Sequence, residues 1–200
     1  MPAHLIDSVT MGGLRETDDV DVVIGTSTYL EFARIEAELR KRGFGQPSDA
    51  PHLARWTMGD LKFDIVSAGS LREGAWVRPT PSSVRQIVLS GVDVPVLALP
   101  YLLAAKIEAF RDPRRAFHGD FIASRDMEDI VVLLEGADVE GAFALCEAGV
   151  GSCVGAFCAE LASRADLSDI LECHVTRSKD VPERVMRVAR RITRLAAASR

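Results

Sequence analysis

Thr17-Asp18-Asp19-Val20-Asp21-Val22-Val23-Ile24-Gly25 is the stretch from which the fold of this chain is read. Val20 to Ile24 is short, β-branched and closed by Gly25, the pattern of a strand that ends in a turn. Successive strand side chains point to opposite faces, so Asp19 and Asp21 share one face and Val20, Val22 and Ile24 the other. Neighbouring carboxylates repel and resist joint ionisation unless a cation lies between them. Mg²⁺, a hard ion that takes carboxylates and phosphates together, is the natural occupant. Taken alone, Asp-x-Asp leaves a solvated strand end and a metal site both open.

Downstream, Leu30, Ile35 and Leu39 recur near helical spacing among Glu and Arg residues, which predicts a helix over residues 28–42, stopped by Gly43. Two strands follow, residues 52–58 and 61–67, flanking Gly59-Asp60, a two-residue connection suited to a tight hairpin. In the second, alternation puts Leu61, Phe63 and Ile65 on one face and Lys62, Asp64 and Val66 on the other. Asp64 therefore lies mid-strand among apolar residues, in a strand expected to be central, where a carboxylate is disfavoured and costly to bury unpaired. It needs a partner: a metal shared with Asp19 and Asp21 is one, and Lys62 is the other. Residues 69–81 carry Gly, Pro and Ser and form a connection, after which residues 85–89 and 94–97 are predicted as short strands that end the sheet.

Beyond residue 98 the pattern turns helical. Pro100 suits the first turn of a helix running to about Phe110, and Ser124 suits the N-cap of one running to about Leu134. Lys106 lies one helical turn from both Leu102 and Phe110, so its ammonium leaves from the half-buried side, either snorkelling to water or held by carboxylates and phosphate. Asp126 and Asp129 open the next helix, where the positive dipole end favours acidic residues, and capping alone accounts for them as readily as a site does. The last element, about residues 182–198, sets Val181, Val185, Val188, Ile192 and Leu195 on one stripe. Arg184, Arg187, Arg191 and Arg194 occupy its other face, solvated or turned to phosphate.

The chain's 200 residues, 48% hydrophobic and 26% charged, suffice for one sizeable core. The expectation is an α+β protein, a mixed sheet flanked by helices in residues 1–98 and a helical part in residues 99–200 that completes the site. A net charge of −5 argues against a general nucleic-acid coat and confines any RNA contact to a local basic face. There is neither a leader pattern nor an apolar run near the roughly 18 to 20 residues that span a bilayer, so a cytoplasmic chain with no membrane contact is expected. Cys146, Cys153, Cys158 and Cys173 lie mostly amid alanine and leucine and read as reduced core thiols.

Gly12-Gly13-Leu14-Arg15-Glu16-Thr17-Asp18-Asp19-Val20-Asp21, then Phe63-Asp64-Ile65, then Ala105-Lys106-Ile107-Glu108-Ala109, then Arg125-Asp126-Met127-Glu128-Asp129-Ile130 form an ordered set. That set resembles the minimal nucleotidyltransferases of the AbiEii/AbiGii toxin type, within the DNA polymerase β-like superfamily, over about two thirds of the chain. The resemblance implies transfer of a nucleotide from an NTP to an acceptor hydroxyl, in the toxin members the 3′ end of tRNA. A protein acceptor and an antitoxin partner are the further expectations. Carried over, Asp19, Asp21 and Asp64 would hold Mg²⁺, with Asp64 also activating the acceptor hydroxyl. Lys106 would hold triphosphate, Asp126 would support the site beside Arg125 and Asp129, and Gly12, Gly13, Arg15 and Thr17 would line the nucleotide. The family pattern opens with a strand and helix bearing a glycine turn whose amides bind triphosphate. Only ten residues precede Met11-Gly12-Gly13, so the expectation is either a gene start further upstream or a nucleotide site that has lost a part.

Two rival motifs lead elsewhere. Gly151-Ser152-Cys153-Val154-Gly155 imitates a nucleophile elbow, but an elbow needs a preceding strand and residues 145–150 read as the end of a helix. Cys173-His174 has no Cys-x-x-Cys companion to make a zinc site. The alternatives to a nucleotidyltransferase are thus a catalytically degenerate binding module of the same fold, acting through a protein or RNA, and more distantly a cysteine hydrolase using Cys153 with His118 or His174. Trp76 and the last helix are candidate contact surfaces.

Overall fold

A computed structural model describes residues 19–26, 28–50, 54–68, 75–136, 139–144, 146–175 and 180–198. The protein is α+β: five strands in two small sheets and seven helices among the described residues. It divides into two compact units, one spanning Glu16–Pro81 and one built on Ser82–Arg200.

The first unit comprises β1 (Asp19–Ile24), α1 (Tyr29–Lys41), β2 (Arg55–Met58) and β3 (Leu61–Ser67). β3 is the middle strand, parallel to β1 and antiparallel to β2. A parallel neighbour cannot be reached through a tight turn, so the chain between β1 and β3 carries a helix and a strand. β2 and β3 form the expected hairpin through Gly59, whose φ of 59° lies in the left-handed region that glycine enters without steric cost. The strand expected over residues 52–58 is described from Arg55 onward, and residues 51–53 lie outside the described part.

One face of this sheet is apolar. Trp56 pairs with Phe63 and Val22 with Ile65, and Trp56 and Ile65 are buried. Phe44 meets Phe63 edge-on at 5.3 Å, and the Arg40 guanidinium lies 5.0 Å from the centre of the Trp56 rings. α1 starts with a capping box: the Thr28 hydroxyl accepts from the Glu31 amide while the Glu31 carboxylate accepts from the Thr28 amide. Of its predicted apolar positions, Ile35 and Leu39 are half-buried and Leu30 is exposed.

In the second unit, β4 (Val84–Leu89) and β5 (Val92–Leu97) pair antiparallel as a separate two-stranded sheet, so the five strands do not form the single sheet that was expected. Both strands also begin earlier than predicted. Ser90 and Gly91, at φ 50° and 80°, make a two-residue turn of the mirror-image kind that matches strand twist.

Six helices follow: α2 (Leu99–Arg111), α3 (Arg125–Gly136), α4 (Val139–Phe143), α5 (Ala148–Ala162), α6 (Leu167–His174) and α7 (Val181–Ala198). Pro100 stands in the first turn of α2, and Ser124 directly precedes α3, as read. Leu103, Ile107 and Phe110 of α2 meet a core shared with Met127, Ile130 and Leu134 of α3 and with Phe157 and Leu161 of α5. Each such side chain contributes about 1.5–3 kcal/mol through burial. Phe110 lies 4.9 Å from Phe121 and 5.6 Å from Phe157, ring centre to ring centre. No described helix is long and apolar enough to cross a membrane.

The last helix corrects the sequence reading. Val185, Val188, Ile192 and Leu195 are buried as a stripe, but Arg184 is buried with them. Its guanidinium donates in a fork to Glu135, with Nη2 to Oε2 at 2.9 Å. Arg191 donates from Nη1 to the carbonyls of Leu134, at 2.6 Å, and Glu135. The C-terminal end of α3 leaves carbonyls without helical partners and carries partial negative charge; Arg191 satisfies two of those carbonyls, while Arg184 neutralises the Glu135 carboxylate. Arg184 and the half-buried Arg191 are therefore tied to α3 rather than standing on a wholly solvated face.

Candidate functional site

The polar face of the first sheet follows from its register. Asp21 sits directly beside Asp64 across the parallel β1–β3 pair, and Asp19 sits beside Lys62. Directly paired residues project to the same face, so all three predicted carboxylates and Lys62 share one side. From the opposite flank, β2 sets Arg55 against Asp64 and Thr57 against Lys62. Asp64 is thus bracketed by Asp21 on one neighbour and Arg55 on the other.

Arg55 uses that position fully. Its Nε donates to Asp64 Oδ1 and its Nη2 to Asp64 Oδ2 at 2.9 Å, the bidentate fork that fits guanidinium to carboxylate. The same Nη2 donates to Asp19 Oδ2 at 3.0 Å. One guanidinium therefore ties the two outer strands together across the central one. The hydrogen bonding to Asp64 raises the Arg55 pKa further above its already high value, with the Asp64 and Asp19 charges adding to it against burial. A guanidinium thus joins two of the three carboxylates, a partner other than the metal or Lys62 that the sequence suggested for Asp64. Among the described residues, no three His, Cys, Asp or Glu groups converge to hold a metal as they stand. The donor chemistry nevertheless suits Mg²⁺: three carboxylates on one face, two of them on facing positions.

The other predicted residues form a cluster within the second unit. Lys106 on α2 places Nζ 2.5 Å from Asp129 Oδ2 and 4.0 Å from Asp126 Oδ1. Arg115, from the connection between α2 and α3, reaches Asp126 Oδ2 at 3.2 Å. Asp126 in the first turn of α3 and Asp129 just beyond it are both buried, so their role exceeds capping: they neutralise Lys106 and Arg115, two cations from the preceding chain. Arg125 is exposed beside them. Gly12, Gly13, Arg15 and Thr17 lie outside the described residues.

Two participants escaped the sequence reading. Arg55 was legible in principle, since counting back from the Gly59-Asp60 turn pairs Met58 with Leu61 and so Arg55 with Asp64. Arg115 lies in irregular chain, where no periodicity marks it.

The rival sites are weakened. Residues 151–155 lie inside α5, which begins at Ala148 where the end of a helix was expected, so Cys153 stands on no elbow. Burial pushes its thiol up, against a smaller opposing effect of Arg111. His174 has Nε2 2.7 Å from the Phe121 carbonyl, which occupies it. Of the thiols, Cys158 is buried as read and pushed up to about 12, whereas Cys173 is exposed rather than in the core.

No family model, curated protein or solved structure matches this chain.

Proposed function

We propose that this chain is a Mg²⁺-dependent nucleotidyltransferase of the AbiEii/AbiGii type, moving a nucleotide from an NTP to an acceptor hydroxyl in the cytoplasm. The observation that carries the reading is the parallel pairing of β1 with β3, which sets Asp21 beside Asp64 with Asp19 on the same face. Two strand-borne carboxylates and a third on the adjoining strand are the donor set that such chemistry requires.

In this reading Asp19, Asp21 and Asp64 hold Mg²⁺, which when bound steadies the triphosphate charge and the attacking and leaving oxygens. Asp64 also accepts the proton of the acceptor hydroxyl on a carboxylate oxygen, once Arg55 has released that oxygen. Within the second unit Asp126 and Asp129 hold the ammonium of Lys106, the residue to which the resemblance gives the triphosphate. The tRNA 3′ end is the first acceptor to test, a protein the second, with an antitoxin as the regulatory partner.

The test is incorporation of each radiolabelled NTP into total tRNA with Mg²⁺, by the parent and by Asp64→Ala. The expected result is label transferred by the parent and reduced by at least about 100-fold in the variant, the scale of removing a group that acts in the transition state. A second reading, a degenerate binding module, is favoured by the Arg55 fork, because a permanent guanidinium would serve in place of a metal. RNA binding by the parent without transfer of any NTP, to tRNA or protein, would favour it.

A further inference from the structure

Arg55 is a costly residue to place on this face unless its charge is used. β2 and β3 are already joined as a hairpin and β1 and β3 as a parallel pair, so Arg55 adds a side-chain link to strands that backbone pairing already joins. Its guanidinium takes both oxygens of Asp64 and one of Asp19, two of the three carboxylates the proposed metal site needs. Asp19, Asp21 and Asp64 thus bring three negative charges to one face, and Arg55 is bonded to two of them. Metal and guanidinium also compete, because both are cations drawn to Asp64 and Asp19 and they repel each other there.

We propose that Arg55 is a displaceable counter-cation: it keeps Asp19 and Asp64 together while the metal is away, and it gives up Asp64 as Mg²⁺ binds. The inference rests on the nucleotidyltransferase reading and adds the regulation of its site. Arg55 is a positioning residue here, acting on the carboxylates and taking no part in the transfer itself. Metal affinity is then set by an exchange of cations, and the parent binds the ion less tightly than its three carboxylates would allow.

The experiment titrates Mn²⁺, followed by electron paramagnetic resonance, into the full chain and into Arg55→Gln, with folding checked by circular dichroism. Arg55→Gln is expected to bind roughly tenfold more tightly, the scale of the charge-assisted bonds no longer broken on binding. Adding Asp64→Asn to it should remove that gain. Equal or weaker binding by a folded Arg55→Gln overturns the inference and leaves the metal site standing. Absence of Mn²⁺ binding in both proteins overturns the metal reading itself, and the inference with it. Should Arg55→Gln not fold, the parent labelled with ¹⁵N-arginine decides the matter. The Arg55 Nε–H signal is expected to move to the position of an unpaired arginine as Mg²⁺ is added. A signal that stays fixed while the Asp64 carboxyl carbon shifts overturns the proposal.

Discussion

Two of the guanidinium–carboxylate forks among the described residues differ in where they are built. Arg184 and Glu135 join α7 to α3 with side chains 6% and 1% exposed, whereas Arg55 and Asp64 join adjacent strands at 15% and 17%. The donor fork is the same and the surroundings are not. Deep between helices, each ion has lost its water and depends on the other, so the pair is fixed. On the sheet face water and small ions can reach the carboxylates, which makes partner exchange affordable. Burial rather than geometry separates a structural ion pair from one that can serve a site.

The largest effect should come from breaking the buried fork. Glu135→Ala is expected to destabilise the fold by about 3–5 kcal/mol in urea unfolding, because it leaves the Arg184 charge buried and uncompensated. Glu135→Leu combined with Arg184→Met should restore most of that loss; a double variant as unstable as Glu135→Ala would mean that the fork holds more than its own charges. The cluster around Lys106 is mixed, its lysine 27% exposed, more than any of the four groups in the two forks, and its Asp129 side chain 11%. Asp129→Ala should cost about 1–3 kcal/mol, since Lys106 can still turn to Asp126 or to water. The smallest change in stability should follow Arg55→Gln, and 1 M salt, where the Debye length is about 3 Å, should shrink it further. A loss for Arg55→Gln equal to that for Glu135→Ala would erase the distinction between the two forks.

Much of this arrangement was legible because it is local. Alternation along residues 61–67 assigned Asp64 its face, the two-residue turn fixed the β2–β3 register, and Asp19 and Asp21 declared their common side through spacing alone. Thr28 and Gly43 bounded α1 through capping chemistry and a left-handed φ of 89°. The misreadings are long-range. The sequence carries no signal that sends the β4–β5 hairpin into its own sheet, since five alternating segments are compatible with one sheet or two. Arg184 stands four residues before Val188 and eight before Ile192, so helical spacing sets it at the edge of the apolar stripe. Its partner Glu135, 49 residues away on another helix, is what the sequence does not mark. Arg55 illustrates the middle case: its neighbour across the hairpin followed from counting, but its bond to Asp19 depended on which strand lay on the far side of β3.

The alternation of Arg55 and Trp56 along β2 also guards the alignment of the hairpin. Trp56 is fully buried on the apolar face and Arg55 holds the acidic one, so sliding β2 by a single position would turn the indole toward Asp64 and drive the guanidinium among Phe63 and Ile65. Both errors are penalised at once, and neither can be relieved without undoing the other. The pair of residues works as a ratchet tooth: it leaves the hairpin one in-register state to close into, and it delivers the acidic face already assembled.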